Sequence, residues 1–201
     1  MIVLDVESSG VVPERHSIVS IGAIDLEDTS NQFYEECQVW EGAEISDEAL
    51  VVNGFSKEEI TGRGSFKQTE AELVASFIAW AMDRPADTTL AAQNVTFDRL
   101  FLEAACRRAK IEFPFAHRTL DVHSLVWMHM ISRGLTPPVT NKHSGINLGF
   151  ALTYAGVPEE PKPHNALTGA LCHAEVIARI AYNKKLLSDF STFDIPWETN
   201  R

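Results

Sequence analysis

Cysteine is scarce in this 201-residue sequence: Cys37, Cys106 and Cys172 cannot all pair, and none stands in a CxxC spacing. That gives no footing to a cysteine-built zinc or redox site, and it predicts reduced core thiols in a cytoplasmic protein. The start, MIVLDVESSG, lacks the basic segment, apolar run and small-residue cleavage site of a signal peptide, and no run approaches the ~18 apolar residues of a membrane helix. The sequence therefore predicts no membrane association. Eleven Gly and nine Pro are too few for a collagen-like or low-complexity chain, while 45% hydrophobic and 22% charged residues are ordinary for a globular one. Positive charge is also short, with 17 Lys and Arg against 28 Asp and Glu, a formal net charge of −11. This disfavours avid, non-specific binding to duplex nucleic acid. A site in which bound divalent cations carry the positive charge stays open.

What is present reads as one domain over residues 1–187 with a tail over 188–201. Ile2 to Val6 and Ile18 to Leu26 are β-branched runs separated by a turn, and Phe33 to Trp40 is a wetter strand nearer a sheet edge. After a stretch punctuated by Asn53, Gly54, Gly62 and Gly64, Thr69 and Glu72 form a capping box for a helix with Leu73, Phe77, Trp80 and Ala81 inward. Thr88 to Ala92 predicts a strand, Phe97 to Lys110 a helix, and Leu120 to Ser132 a helix or a strand leading into one. Residues 134–146 read as a long loop, Asn147 to Tyr154 as a short helix. VPEEPKPH is an extended lead into a last helix with Leu167, Leu171, Ala174, Ile177 and Ala181 at helical spacing. Three strands followed by alternating strands and helices predict an α/β mixed sheet flanked by helices.

Asp5 and Glu7 lie two apart on the first strand, so their side chains share a face. Two like charges there call for a water-exposed strand end or for neutralising cations. Asn94, Phe97 and Asp98 fall where a short strand meets a helix; an Asp there also suits the helix dipole. His164 follows Pro161 and Pro163 and precedes the last helix. His173 and Glu175, well inside that helix, read as solvated or packed.

The ordered strings LDVESSG, QNVTFDRLFL and HNALTGA resemble the three motifs of the DnaQ-like (DEDDh) 3′→5′ exonucleases of the ribonuclease H-like superfamily. NGFSKEEI resembles the family's HGIT-type segment with Asn53 in place of His, and TLDVHSL its approach to a later helix. The resemblance implies a ribonuclease H-like five-stranded mixed sheet and release of nucleoside 5′-monophosphates from DNA or RNA 3′ ends. It makes Asp5, Glu7 and Asp98 ligands of two divalent cations, Mg²⁺ or Mn²⁺, and His164 the general base. It also puts the backbone at Ser8, Ser9 and Gly10, together with Asn53, Gly54, Asn94 and Phe97, at the substrate; for Phe97 a plain core role is the alternative. Single-stranded or 3′-terminal DNA or RNA would be the partner, and both a homodimer and a polymerase-type partner are compatible with the family.

One acid of the pattern is missing. The family carries Asp five residues after the catalytic His, and here that position is Gly169. Glu175 lies six residues further, ~9 Å of helix rise away, and is a poor substitute. Because five residues turn a helix by ~500°, His164 and position 169 converge only if His164 precedes the helix. Two outcomes follow: an exonuclease weakened by the missing ligand, with Gly169→Asp raising its rate, or an exonuclease-fold protein that binds 3′ ends or a protein partner with little or no cutting.

Overall fold

The computed structural model describes residues 1–198 apart from 63 and 65. Three strands open the chain, β1 (Ile2–Ser8), β2 (Ile18–Asp25) and β3 (Gln32–Glu36), followed by helices α1 (Asp47–Asn53), α2 (Lys57–Ile60) and α3 (Glu70–Asp83). Then come β4 (Leu90–Ala92), α4 (Thr96–Ala109), β5 (Thr119–Asp121) and α5 (Val122–Ser132). A hairpin of β6 (Val139–Thr140) and β7 (His143–Ser144) leads to α6 (Leu148–Ala155) and α7 (Ala166–Tyr182), with a 3₁₀ turn at Ser188–Phe190.

The sheet runs β3-β2-β1-β4-β5, antiparallel among the first three strands and parallel from β1 through β4 to β5. This is the expected mixed five-stranded sheet. Side-chain alternation along β1 sorts its residues between two cores. Ile2, Leu4 and Val6 pack with Leu73, Val74 and Phe77 of α3 and Phe101 and Leu102 of α4. Val3 faces the other way, into a core with Val126 of α5, Ala151 and Leu152 of α6, and Ala170, Ala174 and Ile177 of α7. Asp5 and Glu7 continue the alternation of Val3, so both acids emerge on the side covered by α7.

Helix α7 lies unusually close to the sheet. A Cβ on Gly22 would fall 2.1 Å from the backbone of Ala166 and Leu167, so only glycine admits the helix start against β2. Asn165 caps this helix by accepting from the N–H groups of Leu167 and Thr168, and its own amide donates to the Tyr34 hydroxyl on β3.

Two stretches differ from the sequence reading. Residues 134–146 contain a small hairpin, because Asn141 and Lys142 both take positive φ, 51° and 67°, the turn geometry that matches strand twist. The glycine-punctuated stretch before Thr69 holds α1 and α2, capped by Ser46 and by a Ser56–Glu59 box. After α7 the chain folds back: Arg179, fully buried and paired with Glu175, donates to the carbonyls of Ala155, Gly156, Phe190 and Asp194. Among the described residues no helix is long and apolar enough to cross a membrane.

Candidate active site

Two elements bring three acids together. Asp5 and Glu7 come from the carboxyl-terminal half of β1, and Asp98 from the first turn of α4, where it is 2% exposed. The Asp98 Oδ1 atom is buried without a hydrogen-bond partner. Loss of hydration raises Asp5 to about 6, against the lowering pull of the Val6 amide and the His164 imidazole. Burial, then the charges of Asp5 and Glu160, pushes Glu7 up to about 8. Asp98 is raised well above the usual carboxylate range by burial and then by Asp5. The cluster thus holds more negative charge than its protein surroundings favour.

His164 precedes α7, as the helix arithmetic requires, and its main-chain N–H donates to the Val52 carbonyl at 3.1 Å. Helix α1 is the brace behind it. Gly54 closes α1 at φ +75°, and a Cβ there would lie 2.5 Å from Pro163. Asn53 is buried, donating its amide to the Ser8 carbonyl at 3.1 Å and accepting from the Phe55 N–H. Asn53 and Gly54, expected at the substrate, therefore tie the end of β1 to the His164 segment.

The Ser8 hydroxyl donates to the Gly10 carbonyl and that of Ser9 to the Glu44 carbonyl; both serines are buried. Gly10 lies under the His16 ring, which a Cβ would meet at 2.0 Å. Asn94 is exposed, at φ 55°, with its N–H on Asp121 Oδ1, and borders a cleft of about 460 Å³ with Gln93, His123 and Asn147. Phe97 is part-buried against the core, its ring 4.8 Å from that of Phe101. His173 and Glu175 are buried, the former on the Leu4 carbonyl and the latter paired with Arg179, so both are packed rather than solvated.

At Gly169 a Cβ would sit 2.1 Å from Asp5 Oδ2. The Asp5 carboxylate occupies the room that a side chain at 169 would need. Sequence reasoning passed over Glu160, whose Oε2 lies 3.4 Å from His164 Nδ1 and whose side chain is 5% exposed. Its signal was a carboxylate four residues before His164, inside a segment read only as an extended lead.

Hard oxygen donors of this kind suit Mg²⁺ or Mn²⁺, and the unpartnered Asp98 oxygen is what such an ion would satisfy. Among the described residues no three acid, imidazole or thiol groups are already closed around one ion position, so the donor set is open as it stands.

No protein-family model matches the chain. Ribonuclease T of Histophilus somni (strain 129Pt) is 29% identical over 121 residues, covering 55% of each chain. The chain thus spans about half the length of that curated relative. Solved structures share the fold at low identity. The zinc-bound E. coli ExoI–ssDNA complex superposes with a TM-score of 0.69 at 13% identity, over 90% of this chain and 40% of that one. The nuclease domain of 3′hExo, a DEDDh family member bound to rAMP, gives 0.69 at 16% over 92% and 93%. The cell-death related nuclease CRN-4 gives 0.71 at 14% over 92% and 64%. The fold is the ribonuclease H-like α/β fold of the DEDDh exonucleases.

Proposed function

We propose that the chain is a metal-dependent 3′→5′ exonuclease that releases nucleoside 5′-monophosphates from single-stranded or 3′-terminal DNA or RNA. The observation that carries this is the meeting of Asp5, Glu7 and Asp98 from β1 and α4 with His164 at the head of α7, where burial and mutual repulsion leave the acids short of positive charge. Asp5, Glu7 and Asp98 would hold Mg²⁺ or Mn²⁺. Such ions would supply charge stabilisation to the phosphoryl oxygens and make water a better nucleophile. His164 turns Nδ1 toward Glu160, which leaves Nε2 to take the proton of the attacking water. The face of Phe97 offers a base-tolerant stacking surface for the terminal nucleotide.

The shared fold with a zinc-bound complex on single-stranded DNA and with an rAMP-bound nuclease domain supports this reading. Three free buried thiols fit the cytoplasmic setting that the proposal includes. One observation favours a binding-only protein instead: position 169 has no acid and Asp5 fills its space. The test is a gel assay on 5′-labelled single-stranded DNA and RNA in Mg²⁺ and in Mn²⁺, with Asp5→Asn and His164→Ala alongside. A ladder shortening from the 3′ end, lost in both variants, is the expected result. Uncut substrate with folded protein would favour the binding-only reading.

A further inference from the structure

Helix α7 lacks the fourth acid, yet a fourth carboxylate reaches the cluster from outside the helix. Glu159, Pro161, Lys162 and Pro163 are exposed, whereas the Glu160 side chain is 5% exposed and turned inward. Among the described residues two buried carboxylate oxygens have no hydrogen-bond partner, Asp98 Oδ1 and Glu160 Oε1. Both belong to acids that interact with Asp5 and Glu7. On a segment with free access to water, turning an acid toward Asp5 and Glu7 is unfavourable unless something positive lies between them. His164 meets one oxygen of Glu160, at 3.4 Å, and leaves Oε1 unmet.

Resting on the exonuclease reading above, we propose that Glu160 is a cation ligand of this site and supplies the carboxylate that position 169 does not. The two halves of the arrangement fit each other. A Cβ at 169 and the Asp5 carboxylate exclude one another at 2.1 Å, so with Asp5 placed as it is the extra acid must arrive from another element. The 157–165 segment is that element, and it carries Glu160 and His164 together, with His164 fixed by Val52. A role confined to orienting His164 would need one neutral acceptor near Nδ1, which glutamine also provides; a ligand needs the charge.

The experiment measures Mn²⁺ binding to the full chain without substrate, by titration calorimetry and by the paramagnetic resonance of free Mn²⁺, for wild type, Glu160→Gln and the exposed control Glu159→Gln. Circular dichroism checks the fold, and Glu160→Asp serves as a second variant. We expect Glu160→Gln to weaken at least one Mn²⁺ site about tenfold or more, with Glu160→Asp in between and Glu159→Gln like wild type. Mn²⁺ binding by Glu160→Gln indistinguishable from wild type overturns the proposal, as does a wild type that binds no Mn²⁺. A parallel assay on 5′-labelled single-stranded DNA and RNA separates the two readings. Glu160-dependent Mn²⁺ binding without cleavage would sink the exonuclease and leave the ligand assignment standing.

Discussion

Glu7 is 9% exposed and raised to about 8, chiefly by burial, and Asp5 is raised to about 6 for the same reason. A carboxyl raised on folding stabilises the fold only while protonated. That contribution is complete below the unfolded value near 4 and is lost as pH rises through about 6 for Asp5 and about 8 for Glu7. In chelator, the wild type should therefore lose stability between pH 5 and 9. Glu7→Gln should melt several degrees higher than wild type at pH 8.5, at roughly 2–4 °C per kcal/mol for a chain of this size, and lose that advantage near pH 4. Thermal melts across pH check this, and an advantage that does not change with pH would count against it. A second expectation concerns Gly169. If Glu160 supplies the fourth acid, Gly169→Asp should lower the rate by itself, because its Cβ would meet Asp5 Oδ2 at 2.1 Å and displace that ligand, and should add less than its full effect in a Glu160→Gln background, where the cation site is already damaged. The four proteins form a double-mutant cycle, and simple additivity would argue that the two positions do not share a role.

Among the elements, α1 joins the two halves of the site. It anchors the Ser8 carbonyl through Asn53 at one side and the His164 N–H through Val52 at the other. Asn53→Ala leaves a buried carbonyl unmet and should cost about 1–3 kcal/mol of stability. It should also lower kcat more than it raises KM, because untying α1 from Ser8 loosens the Val52 brace on His164 relative to the acids of β1. Urea melts and steady-state kinetics measure both; a rise in KM alone would instead favour the contact with substrate expected from the sequence. This helix also marks the limit of what the sequence makes legible. Thr69 and Glu72 announce α3, and Asn147 announces α6, because a cap and an apolar periodicity coincide there. Helix α1 has a cap at Ser46, but of its seven residues Asn53 alone is buried, so no inward stripe betrays it. The strand-end acids and the His before α7 were legible for a similar local reason, as alternation and helix pitch constrain them. Glu160 was not, because its inward turn depends on tertiary contacts with Asp5, Glu7 and His164 that no spacing encodes.

For the whole molecule, charge decides how a polyanion can approach. The net charge is −11, and four of the acidic residues it counts, Asp5, Glu7, Asp98 and Glu160, gather at the place where a phosphodiester must arrive. Ordinary nucleic-acid binding weakens as salt rises, because Lys and Arg that neutralise phosphates release condensed counterions into solution. Here the long-range term has the opposite sign, and screening over ~10 Å at 0.1 M salt relieves repulsion. Without divalent ions, affinity for a fluorescent single-stranded oligonucleotide should be weak and should rise or stay level as monovalent salt is increased. Adding Mn²⁺ should strengthen it sharply in wild type and far less in Asp5→Asn, whose site loses a charged donor. Fluorescence anisotropy over a salt series, with Ca²⁺ or a phosphorothioate end to slow cleavage, reads both effects. A steep loss of affinity with salt in chelator would mean that a basic surface, and not cations in the acidic cluster, receives the strand.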